Sequence, residues 1–189
     1  MRLTQMGAKI ALGFKLTDEE RANLPGRVHV GCAPTRTKTF IYGLSIGPFI
    51  LPPAAYRELM NLEPTGHVFH ELEAVHDGVS LGPHFLQLEA PIIDCVDVDR
   101  TTFSRGGRAY IEEVLASPPG PDGQPLRLSL DFAQRVSLIG SAIAGRHWWR
   151  APSSYSWQQL CSARLVQSWR SAGVAGVRLE QCYTSDRTH

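Results

Sequence analysis

Apolar positions along the chain fall into short, mostly extended runs with a few helical stretches between them. Thr17 followed by Asp18-Glu19-Glu20 and Arg21-Ala22-Asn23-Leu24 predicts a short helix with an N-cap and an acidic first turn, stopped by Pro25-Gly26. Arg27-Val28-His29-Val30 and Thr39-Phe40-Ile41-Tyr42 have the β-branched and aromatic content of strands, with Gly31, Pro34 and small polar residues between them. The first third is therefore expected to be a helix followed by a hairpin.

Phe49-Ile50-Leu51 reads as a strand, and Pro52-Pro53 opens a helix from Ala54 to Leu62 with apolar positions at Ala55, Leu59 and Leu62. Proline is tolerated there because the N–H it lacks has no partner in a first turn. Glu63-Pro64-Thr65-Gly66 ends the helix, and Val68-Phe69-His70-Glu71-Leu72 resumes an extended course. The same grammar returns near the C-terminus. Gln159-Leu160-Cys161 is followed by Ser162 as N-cap, a helix carrying Leu165, Val166, Trp169 and Ala172, Gly173 as C′, and extended Val177-Arg178-Leu179. Two strand-helix-strand units of this kind are expected to lay both helices against a shared sheet.

Between them lie two strand-like runs split by Pro91, His84-Phe85-Leu86-Gln87-Leu88 and Ile92 to Asp99. Alternation in the second run places Asp97 and Asp99 with Cys95, and Asp94 with Val96 and Val98. A helix over Ala109 to Ala116, a loop over Ser117 to Pro125, a half-buried strand over Leu126 to Leu130 and an extended His147-Trp148-Trp149-Arg150 complete the pattern. The resulting expectation is an α+β fold: a single domain over residues 1–189, with a mixed or antiparallel sheet and a few short helices packed on it.

Composition agrees with an ordinary core. The chain has 189 residues, 43% hydrophobic and 20% charged, and folded chains of this size bury about 70% of the surface they expose when unfolded. Cys32, Cys95, Cys161 and Cys182 form no C-x-x-C pair, so zinc-knuckle and thioredoxin-like motifs are absent and reduced thiols are expected. The formal net charge of +1 excludes a generally basic nucleic-acid binder. No secretory h-region precedes Thr17, and no apolar run approaches the roughly 18 residues that span a bilayer, so a cytoplasmic protein without membrane contact is expected.

Charge is nonetheless segregated. Residues 1–45 net +4, residues 46–100 net −7 and residues 101–189 net +4. An acidic middle segment suits a basic partner, provided its side chains share a surface.

Enzymatic motifs are incomplete. Gly43-Leu44-Ser45-Ile46-Gly47 matches the G-x-S-x-G elbow, and Asp131 and His147 follow in triad order, but Pro52 and Pro53 interrupt the helix that should follow. Asp97-Val98-Asp99-Arg100-Thr101 imitates the two-carboxylate motif of haloacid dehalogenase-like phosphatases. The lysine that such chemistry needs downstream is missing, since Lys9, Lys15 and Lys38 all precede it. A small hydrolase using Ser45 or the Asp97/Asp99 pair is the competing functional class. His67, His70, His76 and His84 lie near Glu71, Glu73 and Asp77, but His67 and His70 are three apart in a strand and face opposite sides, so no metal site is expected. No P-loop or G-x-G-x-x-G occurs, and no cofactor is expected. Trp148, Trp149, Trp157, Trp169 and Tyr155 with Arg146, Arg150 and Arg164 suit either a core or a binding hot spot; Trp169 is expected inside, on the helix face with Leu165 and Val166.

The order of these pieces carries a resemblance. The strand and helix from Phe49 to Leu62, His67-Val68-Phe69-His70-Glu71-Leu72, Phe85-Leu86-Gln87-Leu88 and Ile93-Asp94-Cys95-Val96-Asp97 come first. Leu126 to Leu130, Gly145-Arg146-His147-Trp148-Trp149-Arg150 and the ending Ser162-helix-Gly173-x-x-Gly176-Val177 follow. Over residues 45–179 this resembles the Imm11 family of bacterial immunity proteins, whereas residues 1–44, the N-terminal helix and hairpin, are left unplaced. The resemblance implies a cytoplasmic antidote, encoded beside a polymorphic or contact-delivered toxin, that binds the toxin and needs no catalytic residues. Glu71, Glu73, Asp77, Glu89, Asp94, Asp97 and Asp99 are the expected toxin-facing acidic residues, with Trp148, Arg150 and Trp157 as further anchor candidates.

Overall fold

The computed structural model describes residues 7, 9–10, 15–43, 48–103, 133–152 and 159–185. In chain order the described elements begin with α1 (Asp18–Ala22), β1 (Arg27–His29), β2 (Thr39–Phe40), β3 (Tyr42–Gly43) and β4 (Phe49–Leu51). They continue with α2 (Pro53–Leu62), β5 (Val68–His76), β6 (Val79–Glu89), β7 (Thr102–Phe103), β8 (Ala133–Arg135) and β9 (Ser137–Ile139). A 3-10 turn (Gly140–Ile143), β10 (Trp148–Arg150), β11 (Gln159–Cys161), α3 (Ala163–Ser171), β12 (Val174–Ala175) and β13 (Tyr183–Ser185) complete the order. The fold is α+β, as the sequence pattern implies. Cα packing divides it into two compact units, one of residues 1–91 with 161–178 and one of residues 92–160 with 179–189.

The first unit is built on a five-stranded mixed sheet in the order β1-β5-β6-β4-β3. The pair β5–β6 is antiparallel and runs from Val68↔Glu89 to His76↔Val79, while β1 lies parallel to β5 through Val28↔Ala74. One face of this sheet carries Val28, Ile50, Leu72, Ala74, Leu86 and Leu88, covered by Ile10, Leu16 and Leu24 from the N-terminal segment. Among the described residues of this N-terminal region, Ile10, Leu16, Leu24, Val28 and Val30 are thus part of the main core. The expected hairpin between residues 27 and 42 does not form. Instead β1 joins β5, and β2 pairs in parallel with β12 near the C-terminus. Local composition marked both as strands but could not identify partners so distant in the chain.

The opposite face is covered by helix. Ala55 and Leu59 of α2 are fully buried, and Tyr56 stacks on Phe85 with centroids 3.9 Å apart while meeting Phe69 edge-on at 5.1 Å. Helix α3, capped by the Ser162 hydroxyl accepting from the Leu165 N–H, packs on α2. The Trp169 indole donates to the Ala55 carbonyl at 3.0 Å, and Ser168 donates to Glu58. The two strand-helix-strand units therefore bring their helices against each other rather than side by side on one sheet, since β11 pairs with β10 and β12 with β2. The chain after α3 pairs over Val174–Ala175, earlier than the expected Val177 to Leu179.

In the second unit, β9 lies between β13, to which it is parallel, and the Cys95–Asp97 segment, bridged antiparallel at Val96↔Leu138. Cys95, Val96, Leu138, Trp149, Ala151 and Leu160 form its core, where the Trp149 indole donates to the Cys95 sulfur at 3.3 Å. The segment from Ile92 to Asp99 is not a continuous strand. It makes bridges at Ile92 and Val96 and then turns at residues 98–100, so alternation fails: Cys95, Val96 and Asp97 are all buried, whereas Asp99 is exposed. The expected helix at 109–116, the loop at 117–125, the strand at 126–130, and Ser45, Asp131, Tyr155 and Trp157 lie outside the described residues.

Candidate functional site

Strand β5 alternates between the core and a solvent-facing side. Leu72 and Ala74 point into the core, so Phe69, Glu71 and Glu73 take the opposite face, the one α2 partly covers. The aromatic contacts of Tyr56 end at Phe69 and Phe85, leaving Glu71 exposed. Here lies a depression of about 460 Å³, lined by Glu71, Glu73, Ser80, Gly82, Pro83 and Gly26. Arg27, aligned with Glu73 across the parallel pair, binds its carboxylate at 2.6 Å. The Ser80 hydroxyl and the Arg27 guanidinium hold the Glu73 carboxyl below the usual carboxylate range.

At the end of this hairpin, Asp77 and Gly78 form the turn with φ of 48° and 79°. Positive φ at both central residues is the type I′ condition that matches the twist of paired strands. Asp77 keeps 88% of its side chain in water. His76 secures the turn from behind, with Nδ1 3.0 Å from the Val30 carbonyl and Nε2 3.4 Å from Asp77. Glu89, at the other end of β6, is half-buried and bound by Arg21 at 2.8 Å.

The remaining acidic candidates belong to the second unit. Asp94 and Asp99 are exposed, but Asp97 is 1% exposed and takes a structural position. Its carboxylate accepts from the Ser185 hydroxyl at 2.6 Å and from the Arg100 N–H at 3.3 Å, while its carbonyl accepts from the Thr101 hydroxyl at 2.7 Å. The Asp97/Asp99 pair is thus split between core and solvent, which removes the geometry of a two-carboxylate phosphatase site. Trp148 and Arg150 are buried with Trp149 in β10, so these anchor candidates are not presented to solvent in this structure; Arg146 and Arg164 are exposed. Trp169 is buried, as expected.

The described chain resumes at Pro48 and enters β4, which pairs antiparallel with β3 through Gly43↔Phe49. This departs from the strand-turn-helix of a nucleophile elbow. The histidines have separate partners. His67 lies 3.5 Å from Glu63, His70 3.2 Å from the Pro25 carbonyl, and His84 3.2 Å from the Gly82 carbonyl. Among the described residues, no three His, Cys, Asp or Glu side chains gather to hold a metal ion, and no helix is long and apolar enough to cross a membrane.

A surface residue absent from the sequence-derived set is Val79, 65% exposed beside the turn. The dipeptide Asp77-Gly78 was the available signal, because Asp-Gly between extended runs marks a two-residue hairpin. Exposure of Val79 itself has no such signature.

The model of the immunity protein family Imm11 matches residues 5–184. The chain belongs to the Imm11 family. The match extends the similarity of residues 45–179 to nearly the entire sequence and takes in residues 5–44, which the sequence pattern left unplaced. That agrees with the packing of Ile10, Leu16 and Leu24 on the main sheet. Comparison with curated proteins and with solved structures gives no match.

Proposed function

We propose that this Imm11 protein neutralises a cognate toxin by binding it directly in the cytoplasm, with both units acting as one immunity domain over the matched length. The observation that carries the reading is membership of an immunity family across residues 5–184. Direct binding is supported by acidic side chains held open to solvent on ordered backbone: Glu71 and Asp77 in the first unit, Asp94 and Asp99 in the second. Glu73 and Glu89 are half-buried and ion-paired, and contribute charge to the surface without being free to reorient.

Exposed carboxylates attract a basic partner over distances of about 10 Å at ordinary ionic strength, raising the association rate and disfavouring wrong partners. Binding alone accounts for the protection, and no cofactor or nucleic acid enters the proposal. The test is charge reversal at the exposed positions, Glu71→Lys with Asp77→Lys and, separately, Asp94→Lys with Asp99→Lys, titrated against the toxin domain encoded beside the gene. A contributing pair slows association about tenfold at low salt and flattens its salt dependence. Unchanged rates and salt dependence for both pairs would remove the acidic residues from the toxin-facing surface.

A further inference from the structure

We propose that the tip of the β5–β6 hairpin, with Val79 at its head, is the wedge that this protein inserts into a cleft of its toxin, one with an apolar pocket for a single β-branched side chain and a basic rim for Asp77. The inference rests on the toxin-binding reading and adds the element and the chemistry of the contact.

Val79 has the highest exposure of the large hydrophobic residues described, at 65%, and stands next to a carboxylate that is 88% exposed. An apolar residue left in water at the end of a projecting arm does not serve the core. Among the described strands, β4 pairs with β6 only at Leu86 and Phe85, and Leu81 still packs on the main core, so the part of the arm that stands clear is its exposed tip, residues 77–80. On the other side, β1 supports β5 only as far as Val75, where the Val30 N–H donates to its carbonyl at 2.9 Å.

The arm is also ordered before any partner arrives. Its turn is type I′, and His76 ties the last residue of β5 to Val30. Between Glu73↔Pro83 and Val75↔Ser80 the register slips opposite Gly82, whose φ is 79°. Such a bulge adds local twist and re-aims the strand beyond it. The Ser80 hydroxyl accepts from the Gly82 N–H at 3.2 Å and braces the bulge. A rigid tip loses little conformational freedom on docking, which is the main cost that a flexible loop carries into an interface.

The experiment titrates the purified full-length protein, wild type, Val79→Ile and Val79→Asp, against the purified toxin domain encoded beside the gene, by surface plasmon resonance, with thermal melts of each variant. The inference requires wild-type binding, Val79→Ile within about threefold of it, and Val79→Asp weakened at least about tenfold through faster dissociation with an unchanged melt. Amide exchange of residues 77–80 must also slow on complex formation, a readout independent of any variant. Wild-type binding with equal affinity for Val79→Asp, or with unprotected tip amides, overturns the wedge and leaves the immunity reading standing. Absence of wild-type binding overturns both.

Discussion

Gly176 has φ of +90°, and a Cβ built on it would lie 2.5 Å from the Ile41 carbonyl oxygen; at Gly173, φ is +71° and the clash is with Thr37 at the same distance. Both glycines let the chain after α3 run against residues 37–41, where the Thr39 and Ile41 N–H groups donate to Gly173 and Ala175. The Gly-x-x-Gly spacing seen in the sequence thus has a steric cause. Gly176→Ala is expected to destabilise the protein by about 2–4 kcal/mol in urea unfolding, combining left-handed strain with backbone overlap. Gly31→Ala, with nothing within 4 Å, is expected to stay within about 0.5 kcal/mol of wild type. His84 makes a second residue-level prediction. It is 4% exposed beside Tyr42, and burial pushes its pKa below the ordinary 6.5. The folded state therefore favours the neutral ring, and the unfolded chain binds the proton more readily. The stability that this neutral state contributes is fully present above about pH 6.5 and falls as the pH drops below it. The urea midpoint is expected to decline between about pH 7.5 and pH 5.5, and to decline less in His84→Phe. Asp97 shows where single-residue reading stops: alternation grouped it with Asp99, but the turn over residues 98–100 carries Asp99 into solvent while Asp97 stays buried.

Elements with strong local signals were legible. Thr17 forms a capping box with Glu20, Ser162 caps α3, and Pro52-Pro53 opens α2, each within a residue of its expected place. Caps and prolines act over one turn, so a short stretch of sequence contains their whole cause. Strand pairing is different. β1 meets β5 and β2 meets β12 through parallel ladders closed by long connections, and nothing within Arg27-Val28-His29 names Glu73-Ala74-Val75 as its partner. The meeting of α2 and α3 was equally hidden, although Ala55, Leu59, Leu165 and Trp169 were recognisable as inward-facing positions. Leu59 is fully buried on the α2 face beneath these helices, and Leu59→Ala is expected to cost about 2–5 kcal/mol, seen as a lower denaturant midpoint with an unchanged m-value. A loss below about 1 kcal/mol would mean that the helical layer contributes little to the fold.

At the scale of the whole molecule, the −7 of residues 46–100 against +4 on either side was visible in the sequence, but its distribution was not. The structure keeps Glu71, Asp77, Asp94 and Asp99 in water, ties Glu73 and Glu89 to Arg27 and Arg21, and buries Asp97. Charge counted along the chain overstated the exposed acidic surface, because ion pairing and burial depend on neighbours distant in sequence. The order of motifs disclosed the family, and the matched span of residues 5–184 enlarges the region to be kept in any functional variant. The central claim is the proposed direct neutralisation, and the most direct measurement mixes the purified protein with its proposed partner, a toxin domain sought beside its gene. Binding and residual toxin activity are then followed in the same titration. The account predicts a saturable complex whose formation removes toxin activity in proportion to occupancy. Protection of cells without any complex, or a complex that leaves the toxin fully active, would contradict it.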